Sequence, residues 1–125
     1  ERVDFAFIYL EAPDETAHQG RADLKIQAIE DLDRRVVARC LDYLEEHPDT
    51  RLLVAPDHFT LISTKTHASG PVPFALCGSG ISAGTSTAYS EAAGLASGIL
   101  VEDGFSLIQS MLRPDPGPLR ALIRQ

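Results

Sequence analysis

Leu52-Leu53-Val54-Ala55-Pro56-Asp57-His58, with His67 nine residues later in Lys65-Thr66-His67, is the stretch that decides the fold. An apolar run ending in adjacent Asp and His is expected to be a buried strand. It delivers a carboxylate and an imidazole to its carboxyl end, where open α/β sheets hold ligands. A matching pair stands upstream: the apolar run Phe5-Ala6-Phe7-Ile8-Tyr9-Leu10 precedes Asp14 and His18 in Pro13-Asp14-Glu15-Thr16-Ala17-His18-Gln19-Gly20. Two strand-end clusters of the same chemistry predict a metal site.

Outward from that stretch, the chain reads as alternating strand and helix. Val3 to Leu10 is mostly β-prone and closes at Pro13, which predicts a buried strand. Asp14 to Gly20 is polar and turn-like. From Arg21 to Glu46, Leu24, Ile29, Leu32, Val36, Cys40, Leu41 and Leu44 lie mostly three or four apart, one stripe of a long amphipathic helix. Pro48 disfavours helical geometry at His47 and stops it. Arg51 to Ala55 then forms the second strand, and the β-α-β order favours a parallel pair. Phe59 to Ser69 is expected as a polar loop and Val72 to Cys77 as a third strand, with Pro71 and Pro73 confined to its entry. Gly78 to Gly84 is loop without a phosphate-binding motif. Glu91 to Ala96 reads as a short helical turn, and Asp103 as the cap of a last helix over Phe105 to Leu112. Beyond Pro118, Leu119, Leu122 and Ile123 either dock or stay loose.

The 125 residues suit one modest domain with a single core, and 44% hydrophobic with 23% charged residues is ordinary for a globular protein. The chain begins at Glu1, already in strand-like sequence, which suggests a fragment. A formal charge of −7 argues against a nucleic-acid partner or an acidic membrane surface, since both would repel it. It fits an anionic substrate poorly unless bound cations reverse the local sign. Cys40 and Cys77 show no CxxC spacing and are expected as small buried hydrophobes rather than a disulfide. No apolar stretch approaches the roughly 20 residues of a membrane-spanning helix, and cytoplasm is the default location.

Asp14, His18, Asp57, His58 and His67 thus supply two carboxylates and three imidazoles from expected loops at strand ends. That mixture suits zinc, manganese or another borderline divalent ion better than calcium. Asp14 and His18, four apart, can reach one ion from a single turn. Taken singly, Asp14 is an ordinary turn former and His47 an ordinary surface histidine; the constellation is what points to metal. Thr60, Ser63 and Thr64 lie between these residues, but none has a nucleophile's motif of its own.

The order Asp-x-x-x-His, Asp-His, then Lys65-Thr66-His67-Ala68-Ser69-Gly70-Pro71-Val72-Pro73-Phe74, together with Leu24-Lys25-Ile26-Gln27-Ala28-Ile29-Glu30, resembles cofactor-independent phosphoglycerate mutase, archaeal-type branch, within the alkaline phosphatase superfamily. The resemblance runs from about Val3 to Leu112. It implies an alkaline-phosphatase-like α/β fold with a largely parallel sheet flanked by helices. Residues 1–125 would be the carboxy-terminal part of the metalloenzyme domain, without the amino-terminal part and the insertion domain. Asp14, His18 and His67 match the protein ligands of one metal, and Asp57 and His58 match two ligands of a second. The implied ions are Mn2+ or Zn2+, with Mg2+ or Co2+ as alternatives. The implied reaction interconverts 3-phosphoglycerate and 2-phosphoglycerate, phosphorylated small molecules, through a phosphoserine. The serine and a further Asp ligand have no counterpart here, so the chain would hold no catalytic residue and be inactive alone. Lys65, near His67 in sequence, would add positive potential at the phosphate or be a solvated lysine. Two alternatives stay open: a phosphatase, phosphodiesterase or phosphonate hydrolase with the same metals, and a non-catalytic domain stabilised by its metal. Strand edges left open would also let the chain pair with itself.

Overall fold

Residues 3–113 are described by a computed structural model. In chain order the elements are α1 (Ala12–His18), α2 (Ala22–Leu32), α3 (Ala38–Glu46), β1 (Arg51–Val54), β2 (Phe59–Leu61), β3 (Thr66–Ala68), β4 (Ala75–Gly78), α4 (Glu91–Ala96) and α5 (Phe105–Met111). The class is mixed α/β, as expected, but the sheets are two small antiparallel pairs. In one, β1 faces β4 with Leu52 opposite Cys77 and Leu53 opposite Leu76. In the other, β2 and β3 form a hairpin with Thr60 opposite His67.

The expected strand over Val3–Leu10 is not formed, and with it the parallel β-α-β pair is lost. A strand needs a neighbour to take its N–H and C=O groups. Among the described residues no strand pairs with this segment, and Phe7, Ile8 and Tyr9 are exposed. Phe7 and Tyr9, two apart, still stack on one side with ring centroids 6.4 Å apart, the spacing of side chains along a strand. β1 pairs instead with β4, which starts later than expected because Pro71 and Pro73 keep the preceding residues out of the ladder.

The long helix runs from Ala22 to Glu46 with one wide π turn at Asp33–Val37. Among its half-buried positions, Leu24, Ala28, Leu32, Val36, Cys40 and Leu44 recur every fourth residue, flanked by half-buried Lys25, Asp31, Val37 and Ala38. In a helix of 3.6 residues per turn such a repeat drifts by about 40° per step; the wider turn offsets part of that drift. Ile29 and Leu41, placed on the stripe from sequence, are exposed. The helix ends at Glu46, and His47 before Pro48 has left helical geometry, as expected.

Two other local expectations change. Asp14–Gly20 is helix rather than turn through His18, because Pro13 in the first turn needs no N–H there and the acidic Asp14 and Glu15 suit that end. Phe59–Ser69 is a hairpin rather than a loop. Helix α4 forms where expected, capped by Ser90, whose Oγ accepts from Ala93 N at 3.2 Å. Helix α5 starts from Gly104 with no side-chain cap; Asp103 contributes its carbonyl, which accepts from Ser106 N at 2.8 Å. Arg51 links β1 to the end of α5, its guanidinium donating to the Met111 carbonyl at 2.7 Å. Cys40 and Cys77 are free and half-buried. The core is thin: among the described hydrophobics only Ala17 and Leu107 are buried. No helix among the described residues is long and apolar enough to cross a membrane. The expectations for Leu119, Leu122 and Ile123 lie outside the described residues.

Candidate metal centre

Helix α1 packs against both α2 and β2, so one face of its nearly two turns meets the hairpin. Asp14 and His18, at i and i+4, project from that face. On the hairpin, Thr60 and His67 are cross-strand partners and share a face, and His58, two residues before Thr60, falls on the same side. One helix and one hairpin therefore bring together residues 14, 18, 58, 60 and 67.

His18 is held from behind. Its Nδ1 lies 2.8 Å from the Lys65 carbonyl, which can only accept, so Nδ1 carries the hydrogen and Nε2 the lone pair. Lys65 presents that carbonyl from a left-handed backbone, φ 56°, at the end of the turn closed by Lys65 N donating to Leu61 O at 2.8 Å. His18 Nε2 stands 3.0 Å from His67 Nε2 and 3.4 Å from Asp14 Oδ2, and His67 Nε2 stands 3.4 Å from Asp14 Oδ1. Two ligand atoms at about 2.0–2.1 Å from a tetrahedral zinc are about 3.3 Å apart. These three spacings are close to that edge length. As a hydrogen bond, the imidazole contact has His67 Nε2–H donating; as a ligand pair, both lone pairs face one ion.

His58 adjoins the same cluster. Its ring centroid is 3.9 Å from that of His67, and ligand atoms of Asp14, His58 and His67 all lie within 4.8 Å of one another. Asp57 attaches through His58, its Oδ2 3.4 Å from His58 Nε2, and its Oδ1 accepts from the His58 backbone N–H at 3.1 Å. All five residues singled out from sequence thus form one neighbourhood, with His67 between His18 and His58. They stand on a helix, a strand and a strand entry rather than on three loops. His47 lies elsewhere, its ring 4.0 Å from Tyr43.

The electrostatics are those of an anionic pocket. The Thr60 hydroxyl above all holds the Asp14 carboxyl below its ordinary range; burial opposes it, and the His18, His67 and His58 imidazoles add weaker lowering effects. Asp14 is therefore a carboxylate at neutral pH. What it adds to stability is present above the usual carboxyl range and is lost as pH falls through its lowered value. Tyr9 shows the reverse: the charge of Asp57 first, then burial, Glu11 and Asp14, raise its hydroxyl above the ordinary value. A divalent cation answers both the donor set and the charge, so the residues fit a metal.

A family model described as Metalloenzyme superfamily matches residues 1–103. The chain belongs to the metalloenzyme superfamily. A protein of Geobacter sulfurreducens named "Probable 2,3-bisphosphoglycerate-independent phosphoglycerate mutase" is 41% identical over 90% of this chain and 28% of its own length. A Methanothermobacter thermautotrophicus protein named 2,3-bisphosphoglycerate-independent phosphoglycerate mutase 2 is 46% identical over 73% of this chain and 22% of its own. One from Methanothrix thermoacetophila, named as the same mutase, is 40% identical over 88% and 28%. The chain spans about a quarter of the length of these relatives. No solved structure matches it.

Two features of this candidate site escaped the sequence. Thr60 is buried, 5% exposed, and donates a short hydrogen bond to Asp14 Oδ1 while lying 3.2 Å from His58 Nδ1. Lys65 acts through its carbonyl, and its side chain passes over Gly20. The alternation His58-x-Thr60 was the available signal for the first. No residue-type signal announces the second, because any residue supplies a carbonyl.

Proposed function

We propose that this chain is the carboxy-terminal, metal-binding part of a cofactor-independent phosphoglycerate mutase. Asp14, His18 and His67 hold one divalent cation, and Asp57 and His58 contribute to a second. The observation that carries the metal reading is the convergence of His18 Nε2 and His67 Nε2, 3.0 Å apart, on the Asp14 carboxylate, whose two oxygens each stand 3.4 Å from one of them, with His18 fixed in its tautomer by the Lys65 carbonyl. The names of the relatives, each matched over most of this chain, support the mutase within the superfamily. The substrate is then a phosphorylated three-carbon acid.

Bound there, divalent cations supply positive charge to phosphoryl oxygens and lower the pKa of a coordinated hydroxyl. The residues of this chain prepare that position. Asp14 is kept ionised, the His18 ring is anchored through Nδ1 so that Nε2 faces the cluster, and His58 is held between Asp57 and Thr60. The serine that accepts the phosphoryl group in the resembled family has no counterpart among these residues, so this part binds cations and does not turn over alone.

Three ligands for one position and two for the other predict a split in affinity. Calorimetric titration of the chain with Mn2+ or Zn2+ is expected to show one tight event and one much weaker one; two equally tight sites, or none, would overturn the assignment. For the intact protein, conversion of 3-phosphoglycerate to 2-phosphoglycerate without added bisphosphoglycerate, abolished by a chelator, is the matching assay of activity.

A further inference from the structure

We propose that Thr60 is a positioning residue whose hydroxyl ties Asp14 to His58 and so sets the ligand geometry of both cation positions at once. The inference rests on the metal reading above and assigns a role to a residue that binds no cation itself.

Thr60 and Ser110 are the buried polar side chains among the described residues, and Thr60 is the one beside the cluster. A hydroxyl has one hydrogen to donate and two lone pairs to accept with. The hydrogen goes to Asp14 Oδ1, 46 residues away in sequence. Only lone pairs then remain for His58 Nδ1 at 3.2 Å, so the imidazole donates from Nδ1. A second acceptor, the Phe59 carbonyl 3.3 Å from the same nitrogen, favours the same tautomer. His58 Nε2 is thereby left as the ligand atom, on the side where Asp57 Oδ2 lies. At its other end the hydroxyl holds one carboxylate oxygen of Asp14, fixing the plane in which the group meets His18 and His67. One side chain thus orients a ligand of each proposed position.

The hydroxyl is itself held in place. Its β-branched side chain has few χ1 options, its backbone pairs with His67 in the hairpin, and its carbonyl accepts from Lys25 Nζ on α2 at 2.8 Å. Outer partners of metal ligands commonly carry 10–100-fold of the affinity. The rigid attachment to helix, hairpin and second helix places Thr60 in that class.

The test compares Thr60→Val, which keeps the shape and removes the hydroxyl, with Thr60→Ser, which keeps the hydroxyl. Both are made in the intact protein and titrated with Mn2+, and the absorption spectrum is recorded with Co2+ as a probe of coordination geometry. Thr60→Val is expected to weaken both binding events by roughly 10–100-fold and to change the Co2+ spectrum. Thr60→Ser is expected to keep the affinity and spectrum of the parent. If Thr60→Val does not fold, Thr60→Ala serves as the hydroxyl-free variant. The proposal is overturned if the hydroxyl-free variant binds and absorbs like the parent, or if Thr60→Ser is equally impaired, which would make the role one of packing. A parent protein that binds neither ion would instead remove the metal reading itself.

Discussion

Gly20 shows how much of the site depends on a residue with no functional group. It sits at φ 76°, where α1 ends and Arg21 N reaches back to Thr16 O at 3.0 Å, a helix stop that a residue with a β-carbon adopts poorly. A β-carbon there would also stand 2.6 Å from Lys65 Cε. Gly20→Ala is expected to cost about 1–2 kcal/mol, measured by denaturant unfolding, and to weaken Mn2+ binding because Lys65 supplies the carbonyl behind His18. Unchanged stability would mean that the helix end relaxes freely. Asp14 and His18 were legible as a pair because a spacing of four serves a helix face as well as a turn, so the wrong local structure still gave the right partners. Thr60 was not: its value comes from a carboxylate 46 residues off, and a hydroxyl in a Thr/Ser-rich stretch looks like loop until the hairpin register is known.

Among the elements, the hairpin and the β1–β4 pair explain where the strand expectations failed. β2 and β3 hold three residues each, too short for an alternating pattern, and Thr60, Thr66 and His67 dilute what pattern there is. Arg51–Val54 was recognisable from its apolar run, but its partner was not, since a run of Leu and Val announces burial without saying which neighbour completes the ladder. The pairing seen here has a requirement of its own. At Gly78, φ 110°, a β-carbon would lie 2.2 Å from the Thr50 carbonyl oxygen, in the register where Ser79 N donates to that oxygen at 2.9 Å. Backbone cannot step aside as a lysine tip can. Gly78→Ala is expected to destabilise the fold by more than about 2 kcal/mol and to separate β4 from β1. Amide hydrogen exchange at Leu52 and Cys77, which face each other across the ladder, would reveal the separation, and protection equal to the parent would contradict it.

At the level of the whole chain, the thin core and the exposed apolar residues belong together. Phe7, Ile8 and Tyr9 are exposed at 73%, 57% and 58%, and Leu95 and Phe105 are also open. Against the expectation of a single closed core, little apolar area supports the joining of α1 to the hairpin. Polar groups make that junction, through Asp14, His18, Thr60 and His67, and two of its carboxylate and imidazole contacts are longer than a hydrogen bond. A cation held across it would therefore act as a cross-link between elements that packing joins weakly. Binding only to the folded chain stabilises it by about 2.7 kcal/mol at a free ion concentration of about 100 times Kd. For a chain of 125 residues that is a rise of roughly 10 °C in Tm. A calorimetric scan of the 125-residue chain with Mn2+ or Zn2+, against the same scan with a chelator, is expected to show this shift, together with less binding of a hydrophobic dye in the metal-loaded state. A Tm that does not move while calorimetry still records binding would place the ion on the surface of one element. The junction between α1 and the hairpin would then rest on its hydrogen bonds, Thr60–Asp14, His18–Lys65 and His18–His67.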